Sequence, residues 1–144
     1  MPIKTFRGKI ADGGIDTIVL HTNTGSTGYR IVKLQGLPKD ANSDLEAVLK
    51  IYKVDQTAAD TDIDFSDQTL LGAMIITNDA AEYYQAHTEV IFDTETFNQD
   101  ISLTCKGHDK TGPVNYYIEL EQVKLDLGEN TVATLKDIRN KAVP

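Results

Sequence analysis

Apolar and polar residues alternate along residues 114–127 (VNYYIELEQVKLDL), and the alternation changes phase once. Val114, Tyr116, Ile118 and Leu120 share one face, with Asn115, Tyr117, Glu119 and Glu121 on the other. After Gln122 the apolar set moves to Val123, Leu125 and Leu127. Side chains of a strand alternate with period two, so a phase change demands a bulge, a strong bend or a crossing between sheets. This segment predicts a long, half-buried strand.

The rest of the chain follows the same grammar. Residues 5–11 contain Phe6 and Ile10 and close on Asp12-Gly13-Gly14, a hairpin turn because glycine accepts positive φ. Residues 15–22 (IDTIVLHT) are rich in β-branched side chains and predict the second strand. A turn-forming cluster at 23–28 separates it from a third strand over 29–37, and 38–44 is a polar loop. In residues 45–54, Leu45, Ala47, Leu49 and Ile51 fall on one face with Glu46 and Lys50 opposite; the composition suits a helix, but the alternation predicts a strand. Residues 55–68 form an acidic loop. Residues 70–76 (LLGAMII) are apolar on both faces, which fits a strand covered on both sides or a short apolar helix.

Residues 78–86 predict a helical turn begun by Asn78 or Asp79, and 88–93 and 100–106 predict two further strands. At the end, Val132, Leu135, Ile138 and Ala142 recur at helical spacing, with Lys136, Arg139 and Lys141 toward the negative pole of the helix dipole. A C-terminal helix is expected over 129–142. About eight strands with short connections predict a mainly β, two-sheet antiparallel sandwich, for which a jelly roll is one arrangement. All 144 residues are expected in one domain, with 1–6 as an N-terminal arm.

Composition narrows the chemistry. A net charge of −8, with 14 Lys and Arg scattered rather than blocked, disfavours nucleic-acid binding, which needs a basic patch to displace counterions. Cys105 is the single cysteine, so no intrachain disulfide forms, and its phase with Ile101 and Leu103 predicts a small buried hydrophobe rather than a nucleophile. No apolar run approaches a membrane span of roughly 20 residues, and none at the start resembles a signal peptide. A soluble protein made in a reducing compartment is expected.

The sharpest local motif is Asp60-Thr-Asp62-Ile-Asp64-Phe-Ser-Asp67. Alternate aspartates can converge on calcium, yet the helix-loop-helix motif needs glycine where Phe65 stands and glutamate where Leu71 stands. The candidate is weak, and a solvated acidic loop is the plainer reading. His21, His87 and His108 have no zinc spacing. No nucleophile elbow or phosphate-binding loop is present, Gly25-Ser-Thr-Gly28 lacking both lysine and a following helix. Glu119 and Glu121 on one strand face stand roughly 6–7 Å apart, but no tryptophan is available to stack a sugar. Neither a catalytic site nor a cofactor is expected. Tyr117, facing out beside inward Tyr116, is a candidate contact residue, although cross-strand packing explains it as well.

Four segments, Lys4-Thr-Phe-Arg-Gly-Lys-Ile10, Gly28-Tyr-Arg-Ile-Val-Lys33, Asn115-Tyr-Tyr-Ile-Glu-Leu-Glu121 and Thr134-Leu-Lys-Asp-Ile-Arg139, resemble small virion structural proteins of marine tailed bacteriophages, cyanophage-like viruses included. The resemblance implies assembly: a capsid decoration or cement protein on the particle exterior, made in the host cytoplasm, binding the major capsid protein as a homo-oligomer or as bridging copies. Ile3 and Phe6 of the arm, Tyr117, and Leu135 and Ile138 of the helix are then the interface candidates. A neck, tail or fibre location, or a receptor- or carbohydrate-binding module, are the alternatives; an unrecognised hydrolase ranks below them.

Overall fold

The computed structural model describes residues 2–20, 26–81 and 84–125. Within them run β1 (Ile3–Ile10), β2 (Ile15–Ile18), β3 (Thr27–Pro38), β4 (Leu45–Tyr52), β5 (Leu70–Asp79), β6 (Tyr84–Ile91), β7 (Ile101–Gly107) and β8 (Val114–Lys124). They form a three-stranded sheet ordered β1-β8-β3 and a five-stranded sheet ordered β2-β7-β4-β5-β6. Every pairing is antiparallel. The sandwich expected from the alternation is therefore present, while the helix expected over 129–142 lies outside the described residues.

The inner faces meet in one apolar core. Ile10, Ile31, Leu34, Val114, Ile118 and Leu120 come from the smaller sheet; Ile18, Leu45, Ala47, Leu49, Ile51, Met74, Ile76, Ile101, Leu103 and Cys105 come from the larger. Burying each full-sized aliphatic side chain contributes roughly 1.5–3 kcal/mol against ordering the chain. The segment 70–76 is strand, buried on both faces from Leu70 to Met74, while Ile75 is exposed.

β8 runs from Val114 to Lys124 with no bulge of its own, its register against β1 being unbroken, and the irregularity lies on its other neighbour. β3 buries Tyr29 and Ile31, then Leu34, and its register against β8 jumps from Ile31↔Leu120 to Lys33↔Glu119. Val32 is the extra residue, which moves the core-facing set of β3 from Tyr29 and Ile31 to Leu34. Leu125, just past the end of β8, is buried beside Gly28 and outside the core cluster. A Cβ on Gly28 would come within 2.9 Å of Leu125, so glycine there makes room for that side chain.

Three local expectations are corrected. Residues 3–6 are not an arm: β1 starts at Ile3 and pairs from Ile3↔Glu121 to Ile10↔Val114, which satisfies main-chain groups that β8 would otherwise leave open. The Asp12-Gly13-Gly14 turn exists, with Gly13 at φ 76° and Gly14 N–H donating to Ala11 O at 2.8 Å, but it joins strands of different sheets and is no hairpin. Residues 78–86 form no helical turn at their described positions. β5 continues through Asp79 and β6 begins at Tyr84, while Asn78 donates its side-chain amide to Ala41 O and Ser43 O at 3.1 and 2.7 Å. Ladder pairing with β6 outweighs the local capping preference.

A jelly roll wraps one long antiparallel ribbon, so strand one pairs with eight, two with seven, three with six and four with five. The pairs β1–β8, β2–β7 and β4–β5 follow that scheme; β6 pairs with β5 instead of β3. This single departure leaves β3 and β6 on separate sheets with a gap between them.

Candidate functional site

Lys50 stands on the face of β4 turned away from the core, where alternation suggests solvent. It is nevertheless only 2% exposed. The segment 53–69 folds back over this face, with Lys53 N–H donating to Thr69 O at its base and Phe65 set edge-on to Phe92 at 5.2 Å. Beneath it, Lys50 Nζ donates to the Asp60 carboxylate and to Asp62 O, 5.5 Å from the centre of the Tyr52 ring. Burial pulls the ammonium pKa down most strongly, but the hydrogen bonds and charges of Asp60 and Tyr52 outweigh it and leave the pKa raised. The Asp60 carboxyl is held below its ordinary value chiefly by the Lys50 hydrogen bond. Lys53, equally buried, reaches Glu95 Oε2 at 3.1 Å. The acidic loop is solvated on its outer side, Asp60, Asp62 and Asp64 being exposed, and it also covers the outward face of β4 at Lys50 as a lid.

The candidate calcium ligands Asp60, Asp62, Asp64 and Asp67 serve that lid. Asp60 Oδ1 also accepts from Asp62 N–H at 3.1 Å. Asp64 Oδ1 accepts from Ser66 N–H at 2.9 Å and Ser66 Oγ at 2.6 Å, which lowers its pKa. Asp67 Oδ1 takes Thr69 N–H and Oγ at 2.9 and 2.7 Å. Alternate spacing aligns side chains only on an extended strand; in this loop it produces successive side-chain-to-backbone turns. A different trio gathers on the surface: ligand-type atoms of Glu46, His108 and Asp109 lie within 4.8 Å of one another. The Glu46 O···His108 N–H and Lys110 O···Glu46 N–H bonds bring together residues whose spacing in sequence carries no signal.

Where the β3–β6 pair is missing, a cleft of about 800 Å³ opens between the sheets. Gly8 and Gly36 flank Tyr116 in register on one wall; Met74 and Ile76 lie on the other, and Gln85 and His87 belong to β6 at the mouth. Gly36 fits closely there: a Cβ would meet Ile76 Cδ1 at 2.6 Å and Leu49 Cδ1 at 2.9 Å, so those side-chain ends would have to shift. Tyr116 lies over Gly8 and donates its hydroxyl to Asp16 Oδ2 at 3.2 Å; burial first, then Asp16, raises its pKa. The volume lies in the range of small-molecule sites.

Of the interface candidates, Ile3 is exposed on β1, whereas Phe6 packs against the core. Tyr117 is half-buried and donates its hydroxyl to Glu119 Oε2 at 2.7 Å, a bond that raises its pKa. Leu135 and Ile138 lie outside the described residues. Cys105 sits in the core, where burial and then Asp12 push its thiol up to about 11, far from a nucleophilic thiolate. No helix among the described residues is long and apolar enough to cross a membrane.

No family model and no curated protein matches the chain. Among solved structures, it is similar to a chain of Bacillus endospore appendages, described as a novel family of disulfide-linked pili, at 11% identity and a TM-score of 0.36. That likeness covers 86% of this chain and 89% of the other. It is also similar to a chain of the virus-like particle of the giant freshwater prawn Macrobrachium rosenbergii extra small virus, at 16% identity and a TM-score of 0.34, over 83% of this chain and 77% of that one. Both likenesses are too loose to carry function across.

Proposed function

We propose that this protein is a structural building block of a virion, acting through the surfaces it offers to neighbours. The finer reading is a capsid decoration or cement protein that binds the major capsid protein on the particle exterior, as a homo-oligomer or as copies bridging subunits. The observation that carries it is the investment of charged groups in rigidity. Lys50, Lys53 and the acidic lid hold a loop to a sheet, while among the described residues the outer edge of β6 pairs with no further strand. The resemblance of residues 4–10, 28–33 and 115–121 to small virion structural proteins suggests the same reading, to which no family model or curated protein adds. Multivalent contact across repeated subunit junctions would raise avidity without a deep pocket on either side. Quantitative mass spectrometry of purified particles tests it: copies in proportion to the capsid subunits are expected, a small fixed number relocates the protein to neck, tail or fibre, and absence from the particle overturns the proposal.

The inter-sheet cleft favours a second reading, a binding module for a small ligand with an apolar body and a polar end. Met74, Ile76 and Tyr116 suit the former, and His87 and Asn115 the latter. Thermal-shift and glycan-array screens in which no compound stabilises or binds the protein would remove it.

A further inference from the structure

We propose that β6 is a self-pairing edge, through which two copies of this chain join antiparallel so that their five-stranded sheets run on as one. β6 ends its sheet, and among the described residues only β5 pairs with it. Its outer N–H and C=O groups form an open template. Gln85, His87, Thr88, Glu89 and Val90 are all exposed; the first part of the strand, Gln85 to His87, faces Gln35–Pro38 of β3 across the cleft, and Thr88 to Val90 lie beyond it.

The other edges carry features that discourage pairing. β1 bears Lys4, Arg7 and Lys9 and follows Pro2; β2 is four residues long; β3 is bridged at Tyr29 by Phe97, carries the bulge at Val32 and ends in Pro38. β6 (YQAHTEVI) contains no proline, glycine, lysine or arginine. Edge strands kept from association normally use such residues.

The sequence of β6 also matches itself. A twofold axis through Thr88 sets His87 opposite the partner's Glu89, and Glu89 opposite the partner's His87. Thr88 then meets the partner's Thr88, and Val90 meets the partner's Ala86, which are favourable cross-strand neighbours. Opposing positions differ by an even number of residues, so main-chain groups pointing out of one edge meet groups pointing out of the other. Moving the axis to His87 or Glu89 would set like beside like, and a one-residue slip would put each side chain on the wrong face. Pairing with β5 places Val90 beside Ala73 and Thr88 beside Ile75, so exposed Val90 (38%) and Ile75 (45%) form an apolar strip that the second copy would extend.

This deepens the self-association within the proposed function, and it fails separately from that function. Sedimentation of the full chain should give twice the mass of one chain. His87→Glu, which opposes two glutamates twice over, should weaken the dimer by about tenfold or more, and the charge swap His87→Glu/Glu89→Lys should restore it. Thr88→Cys should cross-link to itself on oxidation, while Ala86→Cys should not, and buried Cys105 will not compete. A chain monomeric into the millimolar range overturns the pairing, as does a dimer that H87E leaves intact and that T88C does not lock. A monomer found in particles would sink the edge pairing alone; a dimer absent from particles would sink the virion role alone.

Discussion

Removing Asp60 should harm the fold more than removing the lysine it serves. In Asp60→Ala, Lys50 keeps its buried position, with the Asp62 carbonyl and the Tyr52 ring as remaining partners. Breaking a fully buried pair costs about 3–5 kcal/mol, and an exposed pair is worth about 0–1 kcal/mol. This pair is mixed, its lysine 2% exposed and its aspartate side chain 65%, so D60A should cost about 1–3 kcal/mol. Lys50→Met keeps the packing, returns Asp60 to water and removes the ammonium's desolvation; it should stay within about 1 kcal/mol of the parent. The double variant should then resemble K50M. Urea unfolding at unchanged m-value measures all three.

The same pair fixes a pH signature. Asp60 has a lowered pKa, so its contribution is present above the ordinary carboxylate value and is lost as pH falls through the folded value. Lys50 has a raised pKa, so its contribution is present below the ordinary lysine value and is lost as pH rises through the folded one. The pair should be flat from about pH 5 to about pH 10, with the acid limb missing from K50M. A K50M variant destabilised as much as D60A at neutral pH would refute the reasoning, because the buried charge would then be a net asset.

Gly36→Ala should destabilise by about 1–3 kcal/mol through overpacking against Ile76 and Leu49, and Ile76→Val in the same chain should recover part of it, seen as a non-additive pair of melting curves. Excess calcium should leave Tm unchanged and give no binding heat by calorimetry, because the loop carboxylates already accept from their own chain. Cys105 should react with a thiol reagent only as the protein unfolds, so the labelling rate at neutral pH and fixed reagent should rise with denaturant along the unfolding transition.

Strand identity was legible because period two is local: Leu45, Ala47, Leu49 and Ile51, or Val114, Ile118 and Leu120, announce a buried face without reference to any other segment. The buried thiol followed from the same rule applied at Ile101, Leu103 and Cys105. The other face of each strand was not legible. Lys50 looks solvated until a loop ten residues on covers it, and the alternating aspartates look like ligands until the turns they make are known. The phase change read in 114–127 is no bulge in β8, which keeps its register with β1; the bulge is at Val32 of β3, and it shows only when the two strands are paired. Tertiary structure alone placed β6 beside β5 rather than β3, and with it opened both the cleft and the edge. Local stereochemistry decides which residues extend and which way they alternate; the choice of partner depends on long-range hydrogen bonding and burial, which no window of sequence contains.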